Sequence, residues 1–381
     1  NGFTGLIRHG AIRPLSWIDV EEWDNLGGSE LGTNRSLPSL DMGAVAYHMQ
    51  ANHIQGLIVI GGFEGYQAVK ELRDAREQYP ILSMPIVCLP STVSNNVPGT
   101  EYSIGSDTCL NVLVNYCDAV KQSASSSRRR VFVIEVQGGN CGYIAAFCGL
   151  VTGALAVYTP EVKVNLKSIQ EDMDLWEKAY ANDHGDERSG KIFIRTEKAS
   201  KVYTTELVAN IIKEAAHGRF ESRTAIPGHV QQGKIPSSMD RISAVRFAIK
   251  ACQFIEEDNE ETAAKITKYN TKNKIFKEAE GEDINSPEFD GGESADFFKA
   301  EKDLRYTYKH GKKLEIAKGQ NAVLCSIQGT SVCFKDIEKV WNEHTDVVGR
   351  KGLDMHWELL PVINDMLSGR LMIRENKPGL S

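Results

Sequence analysis

Short apolar runs without alternating polar residues recur between residues 56 and 256, and each is followed by a stretch with apolar residues at helical spacing. Strands that are apolar on both faces are typical of a parallel sheet with helices packed on each side. The pattern predicts an α/β fold of parallel-sheet subdomains with helices on both faces. Ser106 or Asp107 is the predicted amino-terminal cap of one helix. The predicted strands are 56–60, 85–89, 131–136, 191–194 and 224–226, and the predicted helices are 66–78, 107–120, 143–157, 205–216 and 241–256.

The character of the sequence changes at residue 256. Residues 256–303 are polar, acidic in blocks and short of periodic apolar positions, which predicts an exposed insertion, partly helical or poorly ordered. Its role is open between a solvated linker, which the composition favours, and a segment that docks a partner. Beyond it, residues 322–334 predict two strand pieces with a bend at Gly329-Thr330, and residues 356–367 predict a helix. The predicted organisation is an α/β core over 1–255, the insertion over 256–303 and the remainder of the fold over 304–381.

Charge and cysteine usage exclude several classes of protein. The formal net charge is −7, from 44 basic and 51 acidic residues, which argues against a general nucleic-acid or membrane-surface binder. No apolar run approaches the roughly 20 residues of a membrane span, and the first ten residues do not resemble a secretory signal. The eight cysteines form no CxxC pair, so we expect reduced, buried thiols of a cytoplasmic protein rather than disulfides or zinc ligands.

The loops that follow the predicted strands are the most informative segments, because open α/β sheets bind ligands beyond the carboxyl ends of their strands. These loops are rich in glycine, hydroxyl and amide side chains, and Glu64 and Glu197 are their only carboxylates. They offer hydrogen bonds to hydroxyls or phosphates but little to hold a divalent metal, which prefers carboxylate oxygens. The loops are 61–65, 90–96, 137–142, 195–200 and 227–234.

Cations near these loops favour an anion site. Arg130 immediately precedes one predicted strand, Arg223 lies just before another, His229 follows six residues later, and Arg35 lies in a turn-like segment. Any one arginine could be a solvated surface charge, and His229 alone could be a hydrogen-bonded structural histidine. Their joint placement at strand ends nevertheless favours phosphate binding. Phosphate-loop, dinucleotide-binding, nucleophile-elbow and HExxH motifs are absent from the sequence.

Four segments, GLIVIGGFEGYQA, LPSTVSNNVPGTEYSIGSDTC, RRRVFVIEVQGG and TAIPGHVQQGKIPSSMDR, resemble ATP-dependent 6-phosphofructokinases. The acidic insertion and the ending DMLSGRL are similar to the carboxyl-terminal half of a eukaryotic, fungal subunit, and the resemblance covers residues 1–369 apart from the insertion. It implies a cytoplasmic, allosteric transferase of glycolysis. The whole enzyme would use magnesium and ATP to phosphorylate fructose 6-phosphate. Its partners would be the amino-terminal catalytic half and other subunits in a homo- or hetero-oligomer.

The resemblance also implies which half this is. Catalytic halves carry GGDGS and TIDND, where the acids hold magnesium and activate the sugar hydroxyl. Here Phe63 occupies the acid position of the first motif, and Ser94 and Asn96 occupy those of the second. Serine cannot accept a proton at neutral pH without a base of its own, and fewer carboxylates weaken magnesium binding. We therefore expect this segment alone to be inactive, with no catalytic or metal-binding residue and no cofactor of its own.

In such a half the activator fructose 2,6-bisphosphate occupies the place of the substrate sugar. A serine at position 94 removes repulsion against the second phosphate and can donate a hydrogen bond. By resemblance, Arg130 and Arg223 reach across a subunit interface to phosphate, His229 contacts phosphate, and Glu197 accepts a sugar hydroxyl. The predicted effector-binding residues are Arg35, Thr92, Val93, Ser94, Asn95, Asn96, Arg130, Gln137, Gly138, Gly139, Glu197, Arg223, His229, Val230, Gln231, Gln232 and Arg350.

One departure from the family pattern concerns the start of the chain. A complete half begins with a glycine-containing strand-turn-helix, which is absent here, and residues 1–10 match a later hairpin region. We expect the first strand and helix to lie elsewhere in a longer subunit or on another chain, and this piece to be stable only within its assembly. Two alternative functions are a structural oligomerisation half without a ligand and a sugar-phosphate kinase with its own site.

Overall fold

Ten strands form the framework of the protein, and a computed structural model describes them within residues 1–127, 129–162, 164–181, 190–233, 235–272 and 321–370. They are β1 (Leu57–Gly61), β2 (Ile86–Pro90), β3 (Arg130–Val136), β4 (Ala156–Tyr158), β5 (Lys191–Thr196), β6 (Glu221–Ala225), β7 (Ala322–Gln328), β8 (Ser331–Asp336), β9 (Thr345–Asp346) and β10 (Lys351–Gly352).

Ten α-helices and several short 3-10 helices are described around these strands. The α-helices are α1 (Gly2–His9), α2 (Met42–Ala51), α3 (Phe63–Asp74), α4 (Ser106–Ser126), α5 (Tyr143–Thr152), α6 (Leu166–Ala181), α7 (Thr205–Ala215), α8 (Ser238–Lys272), α9 (Ile337–His344) and α10 (Leu359–Leu367). The 3-10 helices are Ile18–Val20, Trp23–Asn25, Pro38–Leu40, Ala75–Glu77, Pro80–Ser83 and Gly228–Gln232.

The strands form two four-stranded sheets and one small hairpin. The first sheet has the order β1-β2-β7-β8, with parallel pairing except between β7 and β8, and the second has the order β4-β5-β3-β6 and is parallel throughout. The hairpin pairs β9 with β10. The predicted parallel-sheet fold is thus confirmed. The predicted bend also exists, because Gly329, at φ 55°, turns the chain from β7 into the antiparallel β8.

The inner strands of each sheet are packed by helices on both faces, which explains why β2, β3 and β7 are mostly apolar, whereas the edge strand β6 is polar and largely exposed. On β2, Ile86 and Cys88 pack in a cluster with α2, α3 and α9, whereas Val87 and Leu89 pack in a second cluster with α8. On β3, Ile134 and Val136 pack with α4 and α5, while Val131 and Val133 pack in the cluster of α6 and α7. Alternate residues of one strand therefore serve opposite layers of helices.

Several local predictions were wrong. Residues 1–10 contain helix α1 rather than a hairpin. The predicted helix 143–157 ends at Thr152, where Gly153 adopts a left-handed φ of 64°, and the chain then enters β4. Arg223, predicted to precede a strand, lies within β6.

The predicted insertion lies mostly outside the described residues. Its first part continues α8 from residue 256 to Lys272, so the helix crosses the predicted boundary of the core. β1 lies at the edge of its sheet, and among the described residues no strand pairs with its outer side. The predicted absence of a first strand and helix stays a prediction.

The cysteines and the helices bear on two expectations from the sequence, namely buried thiols and the lack of a membrane-spanning segment. All eight cysteines are free, and six of them are buried, including Cys117 and Cys148, whose sulfurs lie 3.6 Å apart. Within the part of the chain that the structure describes, none of the helices is long and apolar enough to cross a membrane.

A distant carboxylate caps the amino terminus of α4. Asp240, at the start of α8, is buried and accepts hydrogen bonds from the backbone N–H groups of Gly105 (2.6 Å) and Thr108 (2.8 Å) and from the Thr108 hydroxyl. The side chains of Ser106 and Asp107 bond elsewhere, so the predicted cap is wrong. A buried carboxylate here satisfies free N–H groups and interacts favourably with the helix dipole. Asp240 therefore fixes the start of α4 against α8.

The variant Asp240→Asn is expected to lower the free energy of unfolding by about 3 kcal/mol, because it removes a buried charge that accepts several hydrogen bonds. The urea unfolding midpoint of the intact protein measures this effect. Asp118→Asn, which changes an exposed acid on α4, is the matched control and should leave the midpoint unchanged. Equal midpoints for both variants would contradict the capping role.

Candidate ligand-binding cleft

The loops at the carboxyl ends of the two sheets meet and form one cleft. The loop after β2 approaches the turn after β3 so closely that a Cβ atom on Gly139 would lie 3.9 Å from Ser94 Oγ. The thiol of Cys141 also approaches the carbonyl oxygen of Asn95, with a sulfur–oxygen distance of 3.9 Å. The loop after β1 joins them, because a Cβ on Gly62 would lie 3.0 Å from Thr92 Cβ. Three of the predicted binding loops thus come together.

The turn after β3 is held by side chains from two other loops. Gln231 accepts a hydrogen bond from Gln137 N (2.8 Å) and donates one to Gln137 O (2.9 Å). Glu197, which follows β5, accepts a hydrogen bond from Gly139 N at 3.1 Å through Oε1. Gly139 has a φ of 58°, and a Cβ on Gly138 would lie 2.7 Å from Cys141 O. The turn therefore requires glycine at both positions.

The short helix Gly228–Gln232 brings a second group of predicted residues to the cleft. Gln231 is fully buried in its pairing with Gln137, whereas His229, Val230 and Gln232 are exposed on the same turn. Two residues of the β2 loop are also engaged inside the protein. Asn95 is buried with its amide bonded to a backbone carbonyl, and Val93 packs against the apolar core. Gln231, Asn95 and Val93 therefore support the cleft from below its surface.

A carboxylate to which the sequence analysis gave no role, Glu64, contacts two of the predicted effector-binding arginines, Arg35 and Arg350. Glu64 Oε1 lies 2.5 Å from Arg350 Nη2 and 3.7 Å from Arg35 Nε. Burial raises the pKa of Glu64, but the hydrogen bond from Arg350 and the charges of both arginines outweigh burial, so the pKa lies below its usual value. Glu64 is therefore an anion that binds Arg350 directly and forms a looser, exposed ion pair with Arg35.

Phe63 is part of the hydrophobic core. Its side chain is 1% exposed, its ring centroid lies 5.9 Å from that of Tyr66 and 6.2 Å from that of Trp341, and the Arg350 guanidinium lies 5.5 Å above it. With Phe63 here and Ser94 and Asn96 in the loop after β2, these positions do not fit a magnesium site, which needs carboxylate oxygens. Throughout the described ranges, no group of three His, Cys, Asp or Glu residues could hold a metal ion.

Arg130 and Arg223 lie at the opposite end of the second sheet. Arg130 begins the seven-residue strand β3, so about 23 Å of extended chain separates it from Gln137. Both arginines bind Glu221 of β6: Arg130 Nε, on the neighbouring β3, lies 3.2 Å from Oε2, and Arg223 Nη2, on the same strand, lies 2.8 Å from Oε1. Hydrogen bonds from Arg223 and from Arg130 lower the pKa of Glu221. Both arginines are thus paired with Glu221 rather than with a residue of the cleft.

The pairing of Glu221 with Arg223 had a local signal that the sequence analysis did not use. Side chains two residues apart on a strand point to the same face, so a strand that contains Glu221 and Arg223 necessarily places them side by side. The Glu64 pairing had no such signal, because it depends on loops from three parts of the chain.

Comparison with known proteins identifies the family. The family model described as "Phosphofructokinase" matches residues 1–255. The chain belongs to the phosphofructokinase family. The predicted resemblance is therefore confirmed. Curated relatives include the "ATP-dependent 6-phosphofructokinase subunit alpha" of Komagataella pastoris, 55% identical over 98% of this chain, and that of Saccharomyces cerevisiae, 50% identical over 100%. A subunit beta from Komagataella phaffii is 43% identical over 97% of the chain. The chain spans 35–36% of the length of these relatives.

Solved structures agree with the phosphofructokinase fold. A structure of phosphofructokinase from Saccharomyces cerevisiae matches 98% of this chain with a TM-score of 0.80 and 48% identity, and the match covers 43% of that chain. A crystal structure of Pichia pastoris phosphofructokinase in the T-state matches 99% with a TM-score of 0.81 and 52% identity, and the match covers 37% of that chain.

The variant Glu64→Gln is expected to destabilise the protein at neutral pH, because Arg35 and Arg350 lose their shared counter-ion. Since the pKa of Glu64 is lower in the folded protein than its ordinary 4.5, this stabilisation is present above pH 4.5 and is lost as pH falls through the folded pKa. The difference in urea midpoint between wild type and variant should therefore shrink below pH 4.5. Glu77→Gln, an exposed change nearby, is the control; a difference that grows in acid contradicts the assignment.

Proposed function

We propose that this chain is the regulatory, carboxyl-terminal part of a fungal ATP-dependent 6-phosphofructokinase subunit, and that its cleft binds fructose 2,6-bisphosphate. The whole enzyme transfers the γ-phosphoryl group of ATP to fructose 6-phosphate, giving ADP and fructose 1,6-bisphosphate in cytoplasmic glycolysis. Magnesium and ATP act in the other half. The names of the fungal relatives and the identity over 97–100% of this chain support the enzyme. The occurrence of alpha and beta relatives supports a hetero-oligomer.

The proposal depends on one observation: the three positions that carry acids in the catalytic halves of the family carry no acid in this chain. Phe63 is packed in the core, and Ser94 and Asn96 are neutral. No group at these positions can take a proton from a sugar hydroxyl or repel a second phosphate. The cleft nevertheless keeps many hydrogen-bonding groups, which favours a binding role over a catalytic one.

The cleft can hold a phosphorylated sugar through three kinds of contact. Glu197 uses Oε1 for Gly139 N, which leaves Oε2 to accept a sugar hydroxyl. Ser94 Oγ and the exposed His229 can donate to phosphate oxygens. Arg35 and Arg350, held beside the loop by Glu64, supply positive charge for a highly anionic ligand.

Arg130 and Arg223 would complete the pocket of a neighbouring subunit. The position of Arg130 at the start of β3 and the pairing of both arginines with Glu221, away from the cleft loops, support this division. A phosphate bound between two subunits stabilises the quaternary arrangement in which the arginines reach it. Activation follows because the effector binds that arrangement more tightly than the alternative one.

In the complete enzyme, Ser94→Asp is expected to weaken binding of fructose 2,6-bisphosphate by roughly a hundredfold or more, because facing like charges cost several kcal/mol. Ser94→Ala removes one hydrogen bond without adding charge, so it should weaken binding only by about tenfold. Calorimetric titration of the assembled enzyme measures both dissociation constants. Unchanged affinity in Ser94→Asp contradicts the proposed site.

A second expectation concerns the subunit interface. Arg223→Ala in the complete enzyme should weaken effector binding by roughly tenfold to a hundredfold, because the phosphate loses a charge-assisted hydrogen bond. Arg219→Ala, which removes an exposed arginine just before β6, is the matched control and should bind normally. Equal dissociation constants for the two variants would exclude a phosphate contact for Arg223.

The same titrations, together with a kinase assay, distinguish the proposed function from the two alternative functions. An assembled wild-type enzyme that binds no bisphosphate supports a structural oligomerisation half. A complete enzyme that keeps kinase activity after its amino-terminal site is inactivated supports a sugar-phosphate kinase in this half.

A further inference from the structure

A buried ion pair lies behind the cleft and joins two segments that border it. Glu161 follows β4, Lys351 begins β10, and Lys351 Nζ lies 3.3 Å from Glu161 Oε1. The two side chains are only 8% and 19% exposed. Together with Asn95 and Cys141, they line a cavity of about 20 Å³. Neither charge is open to a large ligand, so any effect on binding must act through neighbouring residues.

On one side, Glu161 holds the turn that carries Gly139. Glu161 Oε1 also accepts a hydrogen bond from Gly142 N at 3.1 Å. Gly142 packs so tightly here that a Cβ atom would lie 2.7 Å from Glu161 Oε2 and 2.5 Å from Thr159 Cβ. The carboxylate therefore fixes the end of the turn that begins at Gln137.

On the other side, Lys351 holds the hairpin that carries Arg350. Arg350 has a φ of 55°, which is uncommon for a residue with a side chain and must be maintained by its surroundings. Asn140 donates a hydrogen bond to Gly349 O at 2.9 Å, and Asn96 donates one to Arg350 O at 3.0 Å. Lys351, the next residue, adds the ion pair with Glu161 to these hydrogen bonds.

The geometry points to Glu161 and Lys351 as positioning residues for the bisphosphate site, a role that rests on the function proposed above. The ion pair connects the turn that carries Gly139 with the hairpin that carries Arg350. It thereby fixes the positions of the backbone N–H groups of the turn and of the Arg350 guanidinium relative to the ligand. Because both charges are largely buried, removal of one leaves the other without its partner and loosens both segments.

The test compares effector dissociation constants by calorimetry in the complete, assembled enzyme. Glu161→Gln keeps an acceptor for Gly142 but loses the charge, and Lys351→Gln removes the cation. Each is expected to weaken binding of fructose 2,6-bisphosphate on the order of tenfold. Lys351→Arg keeps the charge and should restore nearly normal binding. Hydrogen–deuterium exchange of residues 345–352 should quicken in the two weakened variants and not in Lys351→Arg.

A matched control separates positioning from general stability. Asp172→Asn breaks another buried ion pair, in which Asp172 Oδ1 lies 2.7 Å from Arg370 Nη2 and the side chains are 5% and 8% exposed. It should lower the melting temperature and leave the dissociation constant unchanged. Sedimentation identifies variants that assemble. If Glu161→Gln does not assemble, the Lys351 variants alone test the positioning role. Lys351 is the more exposed partner, so we expect its substitution to disturb folding less.

The outcomes distinguish the two proposals. If wild type binds the bisphosphate and Lys351→Gln binds it equally well, the positioning role is wrong and the proposed function stands. If Asp172→Asn weakens binding as much as Lys351→Gln does, the effect is one of stability and the positioning role is also wrong. If wild type does not bind, both proposals fail together.

Discussion

The close approach of backbone turns from two separate sheets is the constraint on which the cleft depends. The turn after β3 needs glycine for its own conformation, because Gly139 has a φ of 58° and a Cβ on Gly138 would lie 2.7 Å from Cys141 O. Gly62 permits the close approach to Thr92, where a Cβ would lie 3.0 Å from Thr92 Cβ. Such turns are defined by backbone conformation and by the glycines. The chemistry displayed at Ser94 or Asn96 can therefore change while the shape of the cleft is preserved.

Charge in this protein is organised around shared carboxylates. Glu64 neutralises Arg35 and Arg350 at the cleft, and Glu221 neutralises Arg130 and Arg223 at the far end of the second sheet. Each carboxylate keeps two like charges close together, an arrangement that would otherwise be repulsive. Arg130, Arg223 and Arg350 therefore already have a carboxylate partner, and any anion that approaches them must compete with it for their hydrogen bonds.

The sequence predicted the elements whose signals are local and missed those that depend on distant partners. Fully apolar strands such as β2 and β3 were found because burial on both faces leaves a clear pattern. β4 was merged into the preceding helix because its three residues are apolar in either conformation, and only Gly153 marked the break. The cap from Asp240 to Thr108 joins residues 132 apart, and the bond between Glu161 and Lys351 joins residues 190 apart. No pattern within a short window can show such contacts.

The burial of Phe63 has an evolutionary consequence. An aspartate at this position would place a carboxylate against Tyr66 and Trp341 and leave unfilled space where the ring now packs, a combined penalty of several kcal/mol. A single acidic substitution here would therefore threaten the folded state. Position 63 can accommodate an acid only if aromatic neighbours such as Tyr66 and Trp341 change with it, so the core restricts which side chains the loop after β1 can acquire.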